Sequence, residues 1–132
     1  MDFKKIKEEM LNMKSWAVVG TTINKDKFGY KIWKKLKEHN YNTYGVNPNY
    51  EKIDGEIIYH SLNDIPNKID VVDIVVPPKV SINILEEIKE LGIEYVFFQP
   101  GTYDDTVVKK ADELGLKYLT DDCIYSTLVE KE

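Results

Sequence analysis

The sequence predicts an α/β fold in which a mainly parallel sheet lies between two layers of helices. Three observations lead there. The strand candidates Trp16–Val19, Val71–Val76 and Tyr95–Phe98 are continuous apolar runs rather than alternating ones, as in strands covered on both faces. Apolar residues at helical spacing separate most of them. The runs also end in glycine, proline or asparagine, residues that turn a chain off a strand. Together they give a three-layer, Rossmann-like arrangement of six strands in the order 3-2-1-4-5-6.

Taken in order, Phe3, Ile6, Met10 and Met13 recur at spacings of three and four, which predicts an amphipathic lead-in helix. Trp16–Val19 is the first strand. Tyr30, Trp33 and Leu36 share one face of a helix over 30–39 that ends near Asn40. Thr43–Val46 is the second strand, broken at Asn47-Pro48-Asn49 because proline cannot donate to a ladder. Ile57–Tyr59 follows as a small third strand after the Asp54-Gly55 turn. Ser61–Ile65 makes at most one or two helical turns before Pro66. Val71–Val76 stops at Pro77-Pro78, and Ile84, Leu85, Ile88 and Leu91 mark a helix with Gly92 after it. Tyr95–Phe98 runs into Gln99-Pro100-Gly101. Val107, Val108, Ala111 and Leu114 mark another helix, with Asp104 and Asp105 suited to its positive N-terminus. Lys117–Leu119 is the last strand, leading to Asp121-Asp122-Cys123 and a short tail.

At 132 residues the chain is read as one domain spanning 1–132, with a net charge of −5 that argues against nucleic-acid binding. All 18 basic residues are lysine, so phosphate would be held by backbone N–H groups, hydroxyls and lysine point charges rather than by guanidinium forks. No apolar run approaches a membrane span, and the charged N-terminus lacks the apolar core of a signal peptide. A single cysteine excludes an internal disulfide, which places the chain in a reducing cytoplasm.

In such a sheet the ligand crevice lies outside the C-terminal strand ends, where the strand order reverses. The loop Gly20–Gly29 arrives there, between a strand and a helix N-terminus. It is not a dinucleotide fingerprint. Gly20 lacks a second glycine two residues on, and Gly29 follows nine residues later. Asn47 stands where an NAD site places a carboxylate, and no Gly-Lys-Ser/Thr exists. Thr21, Thr22 and Asn24 offer hydrogen bonds, and Lys25 and Lys27 offer charge.

The ordered set A-V-V-G-T-T-I-N-K-D-K-F-G-Y, Y-G-V-N-P-N-Y, S-L-N-D-I-P, D-I-V-V-P-P, F-F-Q-P-G and D-D-C resembles the small stand-alone CoA-binding domain proteins. These are similar to the N-terminal CoA-binding domain of the succinyl-CoA synthetase alpha subunit. The resemblance implies coenzyme A or acyl-CoA as the ligand. Gly20, Thr21, Thr22 and Asn24 would hold its phosphates, and Phe28, Gly29 and Tyr30 would close the loop. Val46, Asn47 and Pro48 would flank the adenosine end, with Val76, Pro77 and Pro78 as a wall and Gln99 and Gly101 along the pantetheine arm. Where the synthetase has a lysine soon after the second strand's proline, this chain has Tyr50, and Lys52 becomes the candidate contact. The family's Pro-Asn-Cys becomes Asp121-Asp122-Cys123, which puts two carboxylates near an anionic ligand.

Chemistry beyond binding has little support. His39 and His60 belong to no catalytic or metal-ligating set. Cys123 is the one reactive candidate, placed after the last strand where an added oxidant would join it to the CoA thiol as a mixed disulfide. The reading is a CoA- or acyl-CoA-binding domain without catalysis of its own, its partner a small nucleotide ligand rather than nucleic acid or membrane. The alternatives are an NAD(P)- or other nucleotide-dependent oxidoreductase and an interaction module with no nucleotide ligand.

Overall fold

The computed structural model describes residues 1–132, in the order α1 (Phe3–Leu11), β1 (Ser15–Val19), α2 (Phe28–Glu38), β2 (Asn42–Val46), β3 (Lys52–Ile53), β4 (Glu56–Tyr59), a 3₁₀ turn (Leu62–Asp64), β5 (Val71–Ile74), α3 (Pro78–Glu90), β6 (Tyr95–Phe98), α4 (Asp105–Glu113), β7 (Lys117–Leu119) and α5 (Ile124–Glu130). The strands form one sheet in the order β3-β4-β2-β1-β5-β6-β7. Six are parallel and reproduce the expected order. The departure is β3, a two-residue antiparallel partner of β4 at the outer edge, too short to register as an apolar run.

Alternation along each strand divides the core. Ala17, Val19, Val72, Ile74, Val96 and Phe98 face α3 and α4, meeting Leu85, Ile88, Val107 and Ala111. Trp16, Val18, Val71, Tyr95 and Phe97 face the other way, onto Ile6 and Met10 of α1, Trp33 and Leu36 of α2, and Ile124 and Leu128 of α5. Trp16 and Trp33 are among the largest fully buried side chains. Truncating a residue of that size typically costs about 3–5 kcal/mol.

Three boundaries differ from the sequence expectation. β5 ends at Ile74; Val75 still donates to the Val19 carbonyl at 2.9 Å, and Val76 is a half-buried loop residue. α3 begins at Pro78, so Pro77 and Pro78 are its N-cap and first helical residue rather than a separate loop. Proline's fixed φ and missing N–H suit that position. The tail after Cys123 is a further helix, α5, whose Ile124 and Leu128 close one face of the core. Its seven residues carry too few apolar repeats to stand out by periodicity.

The switch point falls beside β1, which pairs with β2 on one side and β5 on the other. The loops after β1, β2, β5, β6 and β7 therefore gather at one end of the sheet. No helix is long and apolar enough to cross a membrane.

Candidate functional site

Two clefts open at that end. The first, about 410 Å³, is lined by Val19 and Gly20 after β1, Val46–Asn49 after β2, His60–Leu62, and Val76, Val80, Ile84 and Glu87. The second, about 320 Å³, lies between α2 and the loops after β5 and β6, lined by Phe28, Ile32, Val75–Pro77, Gln99–Thr102 and Cys123. Val76 belongs to both, and the loop 20–28 contributes its first residue to one and its last to the other. Both volumes fall in the range of small-molecule sites.

The two glycines of the leading loop have steric reasons. Gly20 has φ +107°, and a Cβ there would lie 3.0 Å from Val76 Cγ1 and 3.1 Å from the Val75 carbonyl. A Cβ on Gly29 would lie 2.1 Å from the Gly20 carbonyl oxygen. The start of α2 therefore packs backbone to backbone against the end of β1. The α2 N-cap, Lys27, makes no side-chain capping bond. By contrast, Asp104 caps α4 through Val107 N at 2.9 Å. Uncapped first-turn N–H groups leave α2 able to receive an anion.

The loop's polar side chains divide by role. Thr21 is fully buried and its hydroxyl donates to the Val18 carbonyl at 2.9 Å, so only its backbone faces the loop. Asn47 Nδ2 donates to the Thr21 carbonyl at 2.9 Å while its Oδ1 accepts from Asn49 N at 2.9 Å. That side chain ties the loops after β1 and β2 together, which leaves it one N–H and one lone pair for a ligand. Asn24 accepts from Asp26 N at 3.0 Å in an exposed turn. Lys25 is exposed, its ammonium 6.0 Å from the centre of the Tyr30 ring. Tyr30 is buried and donates to Asp54 Oδ2 at 2.5 Å, which fastens α2 to the β3–β4 turn. That bond, and then burial, hold its phenol above 10.

Lys52 lies exposed on β3, opposite Ile57, and lines neither cleft. Its strand stands three places from β1, roughly 14 Å across the sheet at ordinary strand spacing. The residue of that segment that reaches the loop is Tyr50, whose hydroxyl lies 3.2 Å from Thr22 Oγ1. Sequence reasoning passed over it because an aromatic in a turn gives no periodic signal.

At the far end the two carboxylates are engaged elsewhere. Asp122 Oδ2 pairs with Lys7 Nζ at 2.7 Å, and Asp121 Oδ1 accepts from Tyr103 OH at 2.8 Å. Cys123 lines the second cleft as a half-buried free thiol. His60 lines the first cleft and meets Glu51 at 2.9 Å, whereas His39 meets Glu132 at 2.9 Å at the end of α2.

Beneath the second cleft, Gln99 joins two elements. Its Oε1 accepts from Ile124 N at 3.2 Å, at the start of α5, and its Nε2 donates to Asp73 Oδ1. Asp73 lies mid-strand in β5, fully buried, with its other oxygen unpartnered. Burial pushes its carboxyl up to about 8, against the opposing pull of Gln99. Burial thus favours the neutral acid at Asp73, and nothing in the one-dimensional order sets it apart from its valine and isoleucine neighbours.

The clefts lie at the switch point of an open α/β sheet, the place where ligands bind in Rossmann-like domains. The chain belongs to the CoA-binding domain family, whose model matches residues 14–128. It is 34% identical over 111 residues to an ADP-forming acetate–CoA ligase of Methanocaldococcus jannaschii, covering 80% of this chain and 16% of that protein. A hypothetical protein from Pyrococcus horikoshii has a solved structure that matches with a TM-score of 0.89 at 36% identity, covering 99% of this chain and 92% of that one. The uncharacterized protein YneT of Bacillus subtilis is 26% identical, with 90% and 88% covered. The chain spans only about an eighth to a quarter of the length of the ligases and ligase subunits it matches.

Proposed function

We propose that the chain binds coenzyme A or an acyl-CoA along the C-terminal edge of the sheet, without catalysis of its own. The observation that carries this is the pair of clefts meeting at Val76, beside a helix N-terminus that no side chain caps. An elongated nucleotide with a thiol-bearing arm suits a bent groove better than a single pocket. The phosphates lie against Gly20, Thr22 and the start of α2, with Lys25 adding charge. The adenosine end occupies the cleft of Val46, Asn47 and Pro48. The arm passes Val76 and Pro77 towards Gln99, Gly101 and Cys123. Apart from Gln99, Thr102 and Cys123, the side chains lining the second cleft are apolar, which suits an uncharged arm.

The nicotinamide reading has less support, because Asn47 replaces the ribose-binding carboxylate and both its polar ends are engaged by backbone. The test is thermal denaturation with CoA, acetyl-CoA and NAD in parallel. A ligand at about 100 times its Kd stabilises by about 2.7 kcal/mol, or roughly 10 °C for a domain of this size. CoA or acetyl-CoA gives the shift and NAD does not. A shift with NAD alone overturns the reading, and no shift with any of them favours the interaction module.

A further inference from the structure

We propose that Tyr50 is a positioning residue that presets the Thr22 hydroxyl as a donor to the ligand's phosphate; this rests on the CoA reading above. A hydroxyl has one proton and two acceptor lone pairs. Thr22 Oγ1 already accepts from Asn24 N at 3.3 Å, and Tyr50 OH approaches it at 3.2 Å. Of the two hydroxyls the phenol is much the stronger acid, so Tyr50 donates. Both Thr22 lone pairs are then filled, and its proton is left for a third group.

Three features hold Tyr50 to that task. Its ring packs against the core cluster under α1, α2 and α5. Its N–H donates to the Asn47 carbonyl at 3.4 Å, closing a turn that Asn49 N also braces on Asn47 Oδ1. Asn47 in turn grips the Thr21 carbonyl, so residues 47 and 50 hold the adjacent residues 21 and 22. Thr22 is itself half-exposed at the loop surface, where an anion bound at the start of α2 meets it. The chain thus presents a neutral, oriented donor in place of a mobile cation. An anionic acceptor is the partner that gains most from it, because hydrogen bonds to charged groups are the strong ones.

The test is a double-mutant cycle read by calorimetric titration of the full chain with CoA, using Tyr50→Phe, Thr22→Val and the double variant. Phenylalanine keeps the ring packing and removes only the hydroxyl. The expected result is a loss of about three- to tenfold for Tyr50→Phe and about tenfold or more for Thr22→Val. The double variant binds no more weakly than Thr22→Val alone. In a Thr22→Ser background, which keeps the hydroxyl, Tyr50→Phe again weakens binding. Wild-type affinity in Tyr50→Phe overturns the proposal, as do losses that multiply in the double variant, because Tyr50 then acts independently of Thr22. If the unaltered chain binds no CoA in the same titration, the CoA reading fails first and this inference fails with it.

Discussion

Asp73 makes the pH dependence of stability a direct probe of the sheet's interior. In the unfolded chain its carboxyl titrates near 3.8, whereas in the fold burial pushes it up to about 8. An acid whose folded pKa is raised contributes stability in full below pH 4, and that contribution is lost as the pH rises to 8. Above about 8 both states are ionised and the dependence levels off. Each unit of difference is about 1.4 kcal/mol, so the loss between pH 4 and pH 7 is about 4 kcal/mol. Asp73→Asn keeps the shape and the bond from Gln99 Nε2 but cannot ionise. Its unpartnered amide adds an offset that is the same at every pH. Stability is measured by urea denaturation, followed by circular dichroism, at half-unit steps from pH 4.5 to 8. The difference, variant minus parent, should rise by about 1.4 kcal/mol per pH unit through the middle of that window. Taking the difference cancels Glu86 and Glu132, whose partners Lys110 and Lys35 hold them low and act mainly at acidic pH. A difference that stays constant with pH would refute the reasoning and mean that Asp73 is ionised within the fold.

Gly29→Ala sets a Cβ against the Gly20 carbonyl, a backbone atom that cannot swing aside. It should destabilise the fold by about 2 kcal/mol or more, seen as a lower urea midpoint at unchanged m-value. Gly92→Ala offers the opposite case, a φ of +75° with nothing within 4 Å of the added Cβ, and should lose only the backbone strain of about 1–2 kcal/mol. Cys123 lines the second cleft, so saturating CoA should slow its alkylation by iodoacetamide about tenfold. An alkylation rate unchanged by CoA at saturation would place the arm elsewhere.

The parts of the fold that were legible in the sequence are those in which local pattern and tertiary role agree. Trp16–Val19 and Tyr95–Phe98 are apolar because helices cover both faces, the Tyr30-Trp33-Leu36 face because it packs on one side of the sheet, and their periods state which element they form. Legibility fails where a residue's role depends on a distant neighbour. β3 exists because β4 offers an edge to pair with, and α5 exists because Ile124 and Leu128 cap a core assembled by α1 and α2. Val75 and Val76 read as strand by composition, yet the ladder bonds end at Val75, whose N–H donates to the Val19 carbonyl, and Val76 becomes the shared wall of two clefts before α3 starts.

The site shows the same division at the level of single side chains. Gly20 and Gly29 were conspicuous because their backbone conformation and close approach admit little else, a constraint expressed in the residue type itself. Thr21 and Thr22 are adjacent and chemically identical, yet after the turn at Gly20 the first hydroxyl returns to the Val18 carbonyl and the second stays at the loop surface. Nothing in the one-dimensional order distinguishes them. Lys52 attracted attention as a charge near phosphate, but a lysine on the outermost strand is separated from β1 by the sheet itself. Tyr50, two residues earlier, spans that distance because the Asn47-Pro48-Asn49 turn folds it back over β1. On the proposed reading, a chain without arginine would hold phosphate through backbone amides and hydroxyls whose protons are oriented by neighbours. Specificity would then reside in which lone pairs are already filled, a property of the fold and not of the residue list.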